Sequence, residues 1–140
     1  MTVYLTNLIM KKLIFFAAIL LVAISCKKVK TEPYGPTYIR IRNITTVNMT
    51  NVTVNTYDTT FNYGSINASS TSEYHRFSRA YPLANISVLI NGTKYKTDTV
   101  SSYSYLQYLG QMKATYEIWK VSDSPPKIAI KNWIPDSELK

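Results

Sequence analysis

Ala84-Asn85-Ile86-Ser87-Val88-Leu89-Ile90-Asn91-Gly92-Thr93-Lys94-Tyr95-Lys96-Thr97 is the stretch from which the fold can be read. Ile86, Val88 and Ile90 stand on one face of a strand, with Ser87 and Leu89 on the other. Asn91-Gly92 is the dipeptide that most readily takes φ > 0 at both central positions of a type I′ turn. A two-residue loop at that point pairs Val88 with Tyr95 and Ile86 with Thr97 on the apolar face. It pairs Ser87 with Lys96 and Leu89 with Lys94 outside. A slip of one residue would turn the apolar set to water, so turn and pattern specify the same register. The second strand is expected over 93–100.

Other strands read in the same way on either side. Ile39 and Ile41 alternate with Tyr38, Arg40 and Arg42, and Val52 and Val54 alternate with Asn51, Thr53 and Asn55. Phe61 to Ile66, with a bend at Gly64, and Ser72 to Phe77 are shorter runs, and Tyr81-Pro82 breaks the pattern. Ser101 to Met112 has no clean period and is expected to be a long ordered loop. Lys113–Val121 resumes a strand with Ala114, Tyr116 and Ile118 inward and Trp119 outward. Lys127–Ile134 supplies the last, with Ile128 and Ile130 inward. Roughly seven or eight short strands suit one all-β domain over 38–134, an antiparallel β-sandwich of Ig-like or transthyretin-like type, with 135–140 as a frayed tail.

Composition agrees. Beyond the first quarter, the 140-residue chain is rich in Thr, Tyr, Asn, Ser, Val and Ile and sparse in helix formers. The formal charge is +8. Its basic residues are dispersed except for Lys27-Lys28-Val29-Lys30, which argues against nucleic acid as a partner. There is one cysteine, so no internal disulfide can form and the core alone must hold the domain.

That cysteine follows an unbroken apolar run, Leu13 to Ile24, preceded by Lys11-Lys12. A bilayer-spanning helix needs about 20 such residues, and shorter runs of this kind are typical of signal-peptide cores. Met10 would give the basic start directly, which makes it the expected first residue of a 1–25 signal segment. Ala23-Ile24-Ser25-Cys26 resembles a lipobox, in which the cysteine is diacylglyceryl-modified and becomes the first residue of the mature chain. The resemblance implies a membrane anchor through lipid on Cys26, and it accounts for an unpaired thiol in an exported protein. Residues 26–37 are then the lipidated cysteine and a Pro-containing linker. Its lysines are placed to meet anionic headgroups, at about 1 kcal/mol each. Surface-displayed lipoproteins of the Bacteroidota often carry an acidic patch after the cysteine. This chain is basic there, so the expected address is the outer membrane, facing the periplasm.

Asn51-Val52-Thr53-Val54-Asn55-Thr56, Tyr63-Gly64-Ser65-Ile66, Ser72-Glu73-Tyr74, Phe77 with Ala80-Tyr81, and Ile90-Asn91-Gly92 together resemble a family of small uncharacterised lipoproteins from Bacteroidota, over about Ile39 to Trp119. The resemblance implies a β-sandwich and no assigned activity. Exported proteins of that phylum also often bear O-glycans at Asp-Ser/Thr followed by Thr or an aliphatic residue. Asp58-Thr59-Thr60 and Asp98-Thr99-Val100 match, which makes Thr59 and Thr99 candidates, although a strand over 93–100 would turn Thr99 inward.

Nothing in the sequence points to an enzyme or a cofactor. His75 is the single histidine, the four glycines are scattered, and Glu73 beside His75 has no nucleophile to serve. The twelve tyrosines are the unusual feature. Tyr103, Tyr105 and Tyr108 in the long loop either close the end of the sandwich or offer a stacking surface for a glycan or peptide. Two functions follow: a tethered structural or protein-interaction module of the envelope, or a glycan- or peptide-binding lipoprotein.

Overall fold

The alternating segments become eight strands. The computed structural model describes residues 35–136, with β1 (Thr37–Asn43), β2 (Thr50–Thr56), β3 (Thr59–Asn62), β4 (His75–Phe77), β5 (Asn85–Ile90), β6 (Thr93–Lys96), β7 (Lys113–Asp123) and β8 (Pro126–Pro135). The signal run, Met10, Cys26, the Lys27–Lys30 cluster, most of the linker and the last four residues lie outside the described residues.

Hydrogen bonds join all eight strands in one sheet, ordered β3-β2-β5-β6-β8-β7-β1-β4. Its two halves are linked by a single pair, Lys96 with Lys127. Val52, Val54, Ile86 and Val88 from one half share a buried cluster with Ile39, Ile41, Tyr116, Ile118 and Ile128 from the other. The halves therefore face each other as the layers of a sandwich. At the outer edges Phe61 of β3 stacks on His75 of β4, ring centroids 3.4 Å apart, so the sheet nearly closes on itself. An edge strand otherwise presents an open ladder to other chains, and this side-chain contact covers part of it.

The expected hairpin forms in the expected register, with Val88 opposite Tyr95 and Leu89 opposite Lys94. Asn91 and Gly92 have φ of 51° and 79°. Because that region is costly for a residue with a Cβ, and no neighbouring atom approaches Gly92, Gly92→Ala should lose about 1–2 kcal/mol through backbone strain alone. Urea unfolding should show a lower midpoint with an unchanged slope, and Gly92→Asn should lose less.

Three expectations need correction. The sandwich is not purely antiparallel, since β1 runs parallel to β7 and β6 parallel to β8. A parallel pair needs a long crossover, and between β6 and β8 the 97–112 connection together with β7 supplies one. The second hairpin strand ends at Lys96 rather than at residue 100, because Thr97 instead bonds back to Ile86 and Ala84 through its backbone and hydroxyl. The tail is not frayed at its start: β8 runs to Pro135, and Asp136 accepts hydrogen bonds from Tyr74 and Arg40.

Strand directions sort the connections into two ends. One end, the upper, carries the start of β1, the β2–β3 turn, the β4–β5 and β6–β7 connections and the end of β8. The lower end carries the remaining turns, including Asn91-Gly92.

Candidate functional site

The upper end is where the tyrosines gather. The β2–β3 turn is the two-residue loop Tyr57-Asp58, closed by Thr56 opposite Thr59. Tyr57 has φ of 55°, a position that normally goes to glycine. Its ring lies 6.2 Å from Tyr81 and 6.3 Å from Tyr103, with the Arg79 guanidinium 4.8 Å above it. Tyr103 packs on Tyr81 at 4.9 Å and donates a hydrogen bond to the Asn55 carbonyl at 3.3 Å. Tyr108 lies 6.0 Å from Tyr81, and its hydroxyl accepts the Gly35 N–H at 3.0 Å. From below, the buried Tyr116 donates its hydroxyl to the Tyr81 carbonyl. Burial pushes the Tyr116 phenol well above its ordinary value, and that of Tyr103 upwards as well.

The loop at 101–112 is ordered, as expected, by contacts distant in sequence. Leu109 N–H donates to the Ala80 carbonyl, Thr37 Oγ1 to the Gly110 carbonyl, and Tyr38 N–H to the Met112 carbonyl. The three tyrosines singled out from the sequence do not act together. Tyr103 and Tyr108 close the end of the sandwich, whereas Tyr105 is 69% exposed. Tyr105 lines a shallow cavity of about 190 Å³ with Leu83, Val100, Asp98, Thr99 and Ile130, at the point where β6 ends and the chain diverges from β8. Drug-sized ligands generally need about 300 Å³ or more, so this cavity fits a side chain or a single sugar edge.

Thr99 is exposed on the rim of that cavity, because the strand stops before reaching it. Thr59 is half-buried; its hydroxyl donates to Asp58 at 2.9 Å and lies 3.1 Å from Ser78 Oγ. The Ser78 hydrogen bond, aided by Thr59, holds the Asp58 carboxyl below its usual range against the opposing effect of burial. Among the described residues no group of His, Cys, Asp and Glu is arranged to hold a metal.

His75 is half-buried between Phe61 and Phe77. Burial lowers its pKa from 6.5. The unfolded chain thus takes up a proton at a higher pH than the folded one, so stability should fall as pH drops through about 6.5 and level off below the folded value. His75→Phe keeps the stack and should remove that part of the slope in a pH series of thermal unfolding.

The sequence reading missed Tyr57, Arg79 and Leu83. The signal available was Tyr57-Asp58 between two Thr-rich runs, the spacing of a tight hairpin. A Tyr at its first position hides that signal, since glycine is the residue expected there.

No protein-family model matches the chain, and no curated protein does. Among solved structures it is similar to an NMR structure of a protein from Eubacterium rectale, at 15% identity over 74% of this chain and 93% of that one, with a TM-score of 0.44.

Proposed function

We propose that the chain is a bacterial envelope lipoprotein, anchored by diacylglyceryl on Cys26 to the outer membrane on its periplasmic side, whose β-sandwich is a protein-interaction module. The observation that carries this reading is the order Lys11-Lys12, apolar run, Ala23-Ile24-Ser25-Cys26, with the first strand starting at Thr37 after only a short linker. The resemblance to small lipoproteins of Bacteroidota supports the same address. Pull-down from envelope extracts with the anchored full chain should recover a partner in a fixed ratio from the membrane fraction. Recovery of the chain alone, or from the soluble fraction, would count against it.

A second reading is a glycan- or peptide-binding lipoprotein, favoured by the exposed Tyr105 over its small cavity. Tyr105→Ala is the clean test, because Tyr103 and Tyr108 also hold the fold. Binding on a glycan or peptide array that disappears with Tyr105→Ala, at unchanged thermal stability, would support this reading over the first. O-glycosylation belongs to the same proposal, with Thr99 the more accessible candidate and Thr59 the more occupied one.

A further inference from the structure

We infer that the upper end of the sandwich rests on the lipid surface to which the chain is tethered, with Tyr105, Leu83 and Tyr57 as its contact residues; this rests on the reading of Cys26 as the anchor. Gly35 is held by Tyr108, and Thr37 by Gly110, so the chain joins the fold at the upper end, among the tyrosines. Nine peptide units separate Cys26 from Gly35, with a fully extended reach of about 30 Å. To turn the lower end towards the membrane, that linker would have to run back along the full length of the strands.

The exposed side chains at this end suit an interface. Tyr105 is 69% exposed, Tyr57 48% and Leu83 45%, and they come from three separate connections. Tyrosine is enriched at headgroup depth, where its ring meets the acyl boundary and its hydroxyl stays wet. Leu83, which lines the small cavity with Tyr105, supplies an apolar side chain. Arg79 over Tyr57 adds a guanidinium at the depth of the phosphates. The lower end presents the polar Asn91-Gly92 turn, with Val121 as its exposed apolar side chain just before the β7–β8 turn.

The test uses the full chain, lipidated and reconstituted in vesicles of phosphatidylethanolamine and phosphatidylglycerol. With Cys26 acylated, an introduced cysteine is the single free thiol. Tyr105→Cys and, at the lower end, Thr93→Cys each receive an environment-sensitive fluorophore, and quenching by spin-labelled lipid is compared. Docking predicts roughly threefold stronger quenching at 105 than at 93. It also predicts that a probe placed at Ser104→Cys loses that excess when Leu83→Ser and Tyr105→Ser are introduced together. Equal quenching at both ends of a lipidated, vesicle-bound chain overturns the docking inference and leaves the anchor standing. A chain whose Cys26 carries no lipid overturns both. A chain quenched more strongly at 93 would place the other end on the membrane and overturn the inference outright.

Discussion

Tyr116→Ala should lower the unfolding free energy by about 3–5 kcal/mol, a large part of the roughly 5–15 kcal/mol that holds a typical domain. Tyr116 is fully buried on the inner face of β7, surrounded by Ile39, Ile41 and the strands of the other half. Truncation leaves a cavity the size of a phenol ring, and no disulfide is available to limit the unfolded chain. It also removes the hydroxyl that the Tyr81 carbonyl accepts. Tyr81 is the ring on which Tyr57, Tyr103 and Tyr108 converge, so the change should loosen the upper end as well as the core. Tyr116→Phe separates the two effects: it keeps the ring and leaves the buried carbonyl unsatisfied, for a loss of about 1–3 kcal/mol. Urea unfolding gives the energies, and near-UV circular dichroism reports the tyrosine packing. A loss under about 1 kcal/mol for Tyr116→Ala would contradict the packing described for β7.

Asn43→Ala should cost about 3–4 kcal/mol. Asn43 ends β1 and is wholly buried, which is rare for an amide. Its Nδ2 donates to the carbonyls of Val47 at 2.8 Å, Asn67 at 3.1 Å and Ile66 at 3.3 Å. Its Oδ1 accepts the Thr45 N–H at 3.0 Å and the Thr45 hydroxyl at 2.7 Å. One side chain thus serves the β1–β2 connection and the loop after β3, neither of which has a regular ladder of its own. Alanine would take the acceptor from the Thr45 N–H and a donor from each of the three carbonyls, which would keep only Thr45 Oγ1, Met49 N–H and Ser70 N–H. Amide hydrogen exchange should accelerate first at Thr45 and Ile66, with the upper end little affected. Asn43→Asp should be no better, since a carboxylate can neither donate to those carbonyls nor be buried cheaply.

Which of these features could be read in the sequence follows from how local their causes are. The hairpin register was legible because side-chain alternation and the φ demand of Asn91-Gly92 both lie within a dozen residues. The inward sets of β1, β2, β5 and β7 were legible for the same reason. The buried Thr115 and Glu117 were not, because alternation sends them to the outer face. There Arg40 donates to Thr115 at 2.9 Å, and Arg42 and Asn132 bond Glu117 at 3.3 and 3.0 Å, covering positions that the period alone leaves wet. The parallel pairing of β1 with β7 joins residues some seventy-five positions apart, beyond the reach of any local pattern. The separation of Tyr105 from Tyr103 and Tyr108 likewise depends on Asn55, Tyr81 and Gly35, each brought in by topology. Composition correctly marked the tyrosines as unusual but could not say which of them the fold would use.

The upper end therefore combines two demands on the same residues. Tyr81, Tyr103 and Tyr108 seal the core and fasten the first strand, and Tyr57, Leu83 and Tyr105 remain outside them. Removing Leu83 or Tyr105 should leave stability almost unchanged, within about 0.5 kcal/mol, whereas removing an inner tyrosine, or Tyr57 with its ring and guanidinium contacts, should not.

Everything proposed about address and orientation depends on Cys26. Intact-mass spectrometry of the protein purified from its native envelope tests this most directly. The account predicts a chain starting at Cys26 that carries the added mass of a diacylglyceryl group, alone or with a further N-linked acyl chain, and its loss in Cys26→Ala. An unmodified thiol at Cys26, in a chain that starts elsewhere and partitions with the soluble fraction, would contradict it.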